Sequence, residues 1–352
     1  MEQKNALIAM SGGVDSSVAA YLTKEAGFFC IGATMRLYED PENTSDSTLD
    51  ARQVSARLQI PFHVLDFQKE FRHCVMDAFV RDYENGLTPN PCVVCNRYMK
   101  FGCLLDAAKK LGCDHIVTGH YAQIVYDEQS GRWALKKAVD ESKDQSYFLY
   151  GLSQEQLAHS LFPLGALTKS EVREIAATQD FLNARKKDSQ DICFIPDGDY
   201  LSFMKRHTGK NYPAGDFLDL AGNVVGRHSG AVGYTLGQRK GLGIALGEPM
   251  YVCHKDVQKN TVTVGPDASL MHTQLLANDW FWHTIAQLDA PMRVNAKARS
   301  RMAEQPATVY PAENGFARVV FDEPQRALTP GQAVVLYDGD IVIGGGTITD
   351  VL

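Results

Sequence analysis

The alternation of strand and helix signals along residues 5–125 is the feature that most constrains the fold. Short apolar runs at 5–10, 28–37, 61–67 and 114–120 have the composition of buried strands, and segments with helical spacing lie between them. Strands that alternate with helices pair in parallel, so this part of the chain predicts a doubly wound α/β sheet. Ligands of such sheets bind at the carboxyl ends of the strands.

The rest of the chain has a different pattern. From residue 206 onward glycine becomes frequent and helical periodicity fades, and residues 334–343 form two strand signals around Asp338-Gly339, a hairpin signal. The chain has 352 residues, enough for several domains. We predict three domains: an α/β domain at 1–205, a small central mixed domain at 206–271 and a C-terminal antiparallel β-barrel at 272–352.

The composition excludes several classes of protein. Hydrophobic content of 45% and charged content of 22% are typical of soluble globular proteins. No apolar run is long enough to span a membrane, and the N-terminal residues lack the pattern of a secretory signal. We therefore expect a cytoplasmic protein with no membrane part. The net charge of −7 argues against a surface coated with basic charge, although local basic patches stay compatible with it.

The strongest nucleotide signal is SGGVDSS at 11–17, between the first strand and the first helix. Gly12 and Gly13 permit a tight turn and a close approach of the backbone to a ligand. The amides of the loop and of the first helical turn then form an anion cradle. Asp15 at an anion site has a purpose if it helps to hold Mg²⁺ against phosphates. The alternative is a simple helix N-cap with a glycine turn.

This loop is not a G-x-x-x-x-G-K-[ST] motif, because the lysine that reaches the terminal phosphates is absent. It resembles the SGG-x-DS loop of ATP pyrophosphatases. In that class the loop holds the pyrophosphate part of ATP, and reaction at the α-phosphate gives an adenylated substrate. An adenylated carbonyl oxygen is a good leaving group that a nucleophile can replace.

Two cysteine segments suggest sulfur as that nucleophile. Cys92 and Cys95 follow a Thr-Pro-Asn-Pro stretch, and Cys193 lies among acidic residues and turn formers, including Asp191. No glutaminase module that would supply ammonia is visible. Zinc is a poor alternative, since the spacing from Cys95 to the next cysteines does not fit a zinc ribbon. We interpret the other five cysteines as packing residues: Cys30, Cys74, Cys103, Cys113 and Cys253.

The chain as a whole resembles the tRNA-uridine 2-sulfurtransferases, also called tRNA-specific 2-thiouridylases, of bacteria and organelles. The resemblance spans the full length and is weakest in the C-terminal barrel. Seven segments carry it, in this order: SGGVDSS, GATMRLY, LTPNPCVVCNRYMKFG, VTGHYA, KDQSYFL, SQDICFIP and GYTLGQRKGLGI.

The resemblance implies ATP-dependent installation of sulfur at C2 of the wobble uridine of tRNA. Cys193 would receive sulfur from a donor protein as a persulfide, and Cys95 would release it and leave a Cys95–Cys193 disulfide. Thiol exchange requires that one of these thiols has a depressed pKa or is assisted. The residues implied to hold ATP with Mg²⁺ are Ala9, Met10, Ser11, Gly12, Gly13, Val14, Asp15, Ser16, Met35 and Gly119.

The partner implied by the resemblance is the anticodon region of tRNA, and the target base must leave its stack to reach the site. We expect a monomer. Basic clusters at 185–187, 205–206, 239–240 and 293–301 are candidates for phosphate contacts. The residues implied to contact tRNA are Asn90, Pro91, Cys92, His120, Lys143, Asp144, Gln145, Arg299, Ser300 and Gln332.

Cys92 departs from the pattern, because some family members have aspartate there. Cys92, Cys95 and Cys193 together offer a three-thiolate set that suits an iron–sulfur cluster, so a [4Fe–4S] mechanism competes with the persulfide relay. Two more functions are compatible with parts of the pattern: a different adenylating synthetase of this class, such as a lysidine synthase, and an RNA-binding metal or redox sensor.

Overall fold

The computed structural model describes residues 4–38, 48–181, 183, 192–244 and 247–352. Asp191 and the basic cluster 185–187 lie outside the described residues. Three β-sheets organise this part of the chain. Within it, no helix is both long and apolar enough to cross a membrane.

A five-stranded parallel sheet forms the N-terminal domain, with the strand order β3-β2-β1-β4-β7. Its strands are β1 (Asn5–Ala9), β2 (Phe29–Arg36), β3 (Phe62–Asp66), β4 (His115–Val117) and β7 (Ser160–Leu161). The doubly wound parallel sheet predicted from the alternation is confirmed. All four predicted strands are present, and the structure adds the short edge strand β7.

Helices cover both faces of this sheet and continue into the central domain. They are α1 (Val14–Glu25), α2 (Leu49–Arg57), α3 (Gln68–Phe71), α4 (Asp77–Glu84), α5 (Pro91–Cys95), α6 (Leu104–Lys110), α7 (Ser146–Leu149), α8 (Gln154–Ala158), α9 (Lys169–Thr178) and α10 (Tyr200–Thr208). Two π-helical segments, Arg72–Met76 and Asn96–Cys103, connect α3 to α4 and α5 to α6.

Strand β1 shows how the core is divided. Alternate residues of a strand point to opposite faces. Ala6 and Ile8 therefore pack with α1 and α2, whereas Leu7 packs on the other face with α6 and with Val335 and Tyr337 of the C-terminal barrel. The barrel thus shares a hydrophobic core with the parallel sheet.

The central domain is a small mixed sheet in the order β10-β11-β8-β9, in which β8 and β11 run parallel. Its strands are β8 (Gly215–Leu218), β9 (Val224–His228), β10 (Tyr251–Asp256) and β11 (Thr261–Gly265). Short 3₁₀ turns lie at Ala231–Gly233 and Asp267–Leu270, and a third, at Glu313–Gly315, lies in the C-terminal domain.

The C-terminal domain is a closed antiparallel barrel, as predicted, because β12 pairs with both β15 and β17. Its strands are β12 (Met271–Trp282), β13 (Met292–Lys297), β14 (Gln305–Pro311), β15 (Ala317–Arg326), β16 (Ala333–Asp338) and β17 (Ile341–Val351). A hairpin from the N-terminal domain, β5 (Gln123–Asp127) and β6 (Arg132–Lys136), joins this sheet beside β17.

Candidate functional site

The SGGVDSS loop connects β1 to α1 at the carboxyl edge of the parallel sheet. Gly12 has a φ of +72°, and a Cβ there would lie 3.0 Å from the Cβ of Asp50, so the position requires glycine. The Oγ atoms of Ser16 and Ser17 each donate to the carbonyl of Gly13 at 3.0 Å. The hydroxyls thus brace the turn, and the first amides of α1, which have no intrahelical acceptor, are directed outward.

Asp15 is held by residues distant in the chain. Lys169 Nζ lies 2.8 Å from each Asp15 carboxylate oxygen, and the Tyr121 hydroxyl donates to Oδ1 at 2.8 Å. Lys169 is the first residue of α9, whose Thr168-Glu171 capping box fixes that end of the helix. The sequence offered no local signal for a role of this lysine.

Met35 and Gly119 lie at the ends of strands that flank β1. Gly119 lies directly against the loop, because a Cβ at this position would be 2.8 Å from the Asp15 carbonyl carbon and the Ser16 nitrogen. Met35 is half-buried against the core. The predicted ATP residues therefore share one edge of the sheet, although their role as nucleotide contacts stays a prediction.

The cysteines lie on the helical run that begins at Pro91. Asn90 caps this run by accepting a hydrogen bond from the Val93 amide, and proline suits the first helical position. Cys92 is exposed, and Cys95 ends α5 half-buried. Cys193 is exposed as well, and all three thiols are free.

The apolar residues on either side of Cys193 pack in the same part of the fold as Cys95. Ile192, Phe194 and Ile195 join the hydrophobic cluster that also contains Cys95 and Phe79. Phe194 makes edge contacts with Phe79 at 5.5 Å between ring centroids. The charge of Cys193 also raises the pKa of the Cys95 thiol, so the two predicted catalytic cysteines lie near each other despite their separation in the chain.

A depressed pKa at Cys95 or Cys193 is not observed. Desolvation by the surrounding protein raises the pKa of the Cys95 thiol to about 11. Desolvation raises the pKa of the Cys92 and Cys193 thiols as well, and the charge of Cys92 adds to the shift at Cys193. Each thiol is therefore predominantly protonated at neutral pH in this state, and the predicted thiol exchange would require assistance.

Lys100 is a cation beside these thiols that the sequence analysis did not identify. Its ammonium lowers the pKa of each of the three thiols, partly opposing burial. Its Nζ is 3.2 Å from His120 Nε2, and His120 Nδ1 is 2.7 Å from Thr118 Oγ1. Burial lowers the pKa of His120 well below its usual range, so this imidazole is neutral.

Three residues predicted to contact tRNA lie between β6 and α7, and each of them has interaction partners within the protein. Asp144 accepts hydrogen bonds from the Ala138 amide at 3.0 Å and from the Ser146 hydroxyl at 2.7 Å. Gln145 Oε1 accepts from the Tyr121 amide at 2.9 Å. Lys143 is half-buried beside them. These side chains fix the local backbone, and their contact with RNA stays a prediction.

The predicted tRNA contacts of the barrel form two groups. The Arg299 guanidinium donates to the carbonyl of Arg326, next to half-buried Ser300. Gln332 Nε2 donates to the carbonyls of Thr88, at 2.9 Å, and Pro89, at 3.3 Å. Gln332 therefore joins the barrel to the Thr-Pro-Asn-Pro loop.

Among the described residues, no group of three or more His, Cys, Asp and Glu side chains is arranged to hold a metal ion. The persulfide relay needs no such arrangement, and a cluster held by Cys92, Cys95 and Cys193 stays the alternative to it. Mg²⁺ bound through ATP phosphates and one carboxylate would not require a preformed set of ligands.

Family models match nearly the whole chain. They are a tRNA methyl transferase HUP domain over residues 4–197, a tRNA methyl transferase PRC-barrel domain over 201–266 and an aminomethyltransferase β-barrel domain over 272–348.

Curated relatives match end to end. A tRNA-specific 2-thiouridylase MnmA of Acetivibrio thermocellus is 48% identical, over 99% of this chain and all of the relative. One from Moorella thermoacetica is 49% identical over 98% of this chain and 99% of the relative. One from Clostridioides difficile is 46% identical over 98% of each. The chain therefore belongs to the tRNA-specific 2-thiouridylase (MnmA) family.

Proposed function

We propose that the protein is a sulfurtransferase that replaces the C2 oxygen of the wobble uridine of tRNA by sulfur, at the expense of ATP. One observation carries this proposal. Cys95 packs in the same hydrophobic cluster as Ile192 and Phe194, the chain neighbours of Cys193, and the charge of Cys193 acts on the Cys95 thiol. The segment Thr118-Gly119-His120 reaches from this region to the SGGVDSS loop, with His120 against Lys100 and Gly119 against Asp15.

The first step uses the loop at the end of β1. Its amides and the N-terminus of α1 bind the pyrophosphate part of ATP. Lys169, held beside Asp15, supplies a cation that the loop itself lacks. Mg²⁺ would neutralise phosphate charge and would contact Asp15. The uridine C2 oxygen attacks the α-phosphorus, pyrophosphate leaves, and the base is adenylated.

The second step uses the thiols. A donor protein charges Cys193 as a persulfide. The Cys95 thiolate attacks Cys193 Sγ, the bond from that sulfur to the terminal sulfur breaks, and hydrosulfide leaves with the electron pair. Hydrosulfide attacks C2 of the adenylated base, and AMP leaves. A dithiol reductant then restores Cys95 and Cys193 from their disulfide.

Mass analysis of tRNA nucleosides tests this function. Unmodified tRNA is incubated with the protein, ATP, Mg²⁺ and a persulfide donor, and we expect 2-thiouridine together with stoichiometric AMP. Cys193→Ser should abolish the product, whereas Cys253→Ser, a packing cysteine on β10, should retain it. Full activity of Cys193→Ser would instead favour an adenylating enzyme that does not transfer sulfur. Iron analysis of the same samples tests the cluster mechanism, which requires bound iron in active protein.

A further inference from the structure

Lys100 is a cation placed among thiols without a structural partner of opposite charge. Among the described residues, no carboxylate lies within ion-pair distance of its Nζ, and its hydrogen-bond partner is the neutral His120. A half-buried ammonium is costly to desolvate unless a negative charge compensates it. The position therefore suits an anion that is present only during the reaction.

The π-helical segment explains why Lys100 reaches the thiols. It lies five residues after Cys95, and in an α-helix of 3.6 residues per turn such a pair points to different faces. The segment Asn96–Cys103 instead has π-helical i→i+5 bonding, which brings residues five apart onto one face. Lys100 is consequently turned toward Cys95.

His120 holds the ammonium in this position. Its Nε2 accepts from Lys100, so Nδ1 carries the proton and donates to Thr118 Oγ1. The His120 ring is itself packed between Phe101 and Phe162, with centroid distances of 5.8 Å to each. The cation is thus anchored by the segment that follows β4 and directed at the thiols from its own helix.

We propose that Lys100 forms the binding site for a small sulfur anion, the persulfide terminus on Cys193 and then the hydrosulfide that Cys95 displaces from it. The inference rests on the proposed function. In that step the electron pair of the broken S–S bond leaves on hydrosulfide, so negative charge develops between Cys193 and the base. Among the described side chains, Lys100 is the cation that acts on Cys92, Cys95 and Cys193 together.

A pair of alkylating reagents tests this charge directly, without ATP or tRNA. Iodoacetate is anionic and iodoacetamide is neutral, and the ratio of their rates at one thiol cancels the thiolate fraction. Rates at Cys193 and Cys95 are read by peptide mass spectrometry. We expect Lys100→Met to lower the iodoacetate-to-iodoacetamide ratio at both thiols by about fivefold. Lys100→Arg should keep the ratio.

Two controls separate this effect from damage to the fold. Lys110→Met removes an exposed lysine from the end of α6 and should leave the ratio unchanged. Cys74 provides an internal reference, because its pKa is raised by burial and by Glu70, and Lys100 does not contribute. Its ratio should be the same in all variants.

The inference is overturned if the ratio at Cys193 in Lys100→Met equals that of the unaltered protein. This result is distinct from failure of the proposed function. A changed ratio in a protein that makes no 2-thiouridine would support the charge site while refuting its use in thiolation. Normal thiolation with an unchanged ratio would refute the charge site alone.

Discussion

At the scale of single residues, the SGGVDSS loop forms an ion pair with a lysine that no local motif contains. Lys169 and Asp15 are 154 positions apart, yet they form a half-buried ion pair at 2.8 Å. The sequence predicted the loop because its glycines and serines are consecutive. It did not predict Lys169 or Lys100, because tertiary packing and a π-helical segment decide what those side chains face.

The Lys169 ion pair yields a prediction for ATP binding. Lys169→Met leaves the Asp15 carboxylate without its cation beside the phosphates, so we expect affinity for ATP·Mg²⁺ to fall by about tenfold or more. Isothermal titration calorimetry measures this change. Lys109→Met is the matched control, because Lys109 pairs with Glu155 at the surface. Equal affinities for ATP in the two variants would show that Lys169 has no part in holding the nucleotide.

At the scale of elements, strands with regular apolar patterns could be predicted from the sequence, and strands without such patterns could not. The parallel strands were predicted because their apolar runs are continuous. The barrel hairpin was predicted too, but its register places the two-residue turn at Gly339-Asp340, since Asp338 pairs with Ile341. The hairpin β5–β6 was missed because its strands are not continuous apolar runs: each begins and ends with a polar residue, Gln123 and Asp127 in β5 and Arg132 and Lys136 in β6.

The Thr-Pro-Asn-Pro loop is an element that another domain holds in place. The Thr88 amide donates to the Pro330 carbonyl at 2.9 Å, and Gln332 donates back to the Thr88 carbonyl. Gly331 has a φ of +90°, and a Cβ there would lie 2.8 Å from the Thr88 nitrogen. Any side chain at 331 must therefore displace the loop that precedes Cys92.

Gly331→Ala tests this brace. We expect kcat/KM for thiolation to fall by about tenfold or more, because small misplacements of a reacting group are costly. Gly339→Ala is the matched control, since Gly339 also has a positive φ, of +53°, but its Cβ would meet nothing within 4 Å. Both variants place alanine at a positive φ, which costs about 1–3 kcal/mol. Similar thiolation kinetics in the two variants would refute the brace.

At the scale of the whole molecule, the barrel is joined to the N-terminal domain through a buried histidine. His283 follows β12, and its Nε2 lies 3.2 Å from the Leu152 carbonyl. Arg132 Nε donates to the His283 carbonyl at 2.7 Å. Strand patterns in the sequence do not indicate which residues make contacts between the two domains, because these contacts depend on how the folded domains dock.

The pKa of His283 makes this interface sensitive to acid. Burial lowers it from 6.5 to about 4, so between these pH values the unfolded chain binds a proton that the folded protein does not. The contribution of neutral His283 to the free energy of unfolding is therefore complete above pH 6.5. It falls by up to about 3 kcal/mol as the pH falls toward 4. We expect His283→Gln, which retains an amide donor, to flatten this part of the pH dependence of the urea unfolding midpoint. His254→Gln, at an exposed position on β10, should behave like the unaltered protein. Parallel pH curves for the unaltered protein and His283→Gln would show that acid acts on the fold through other groups.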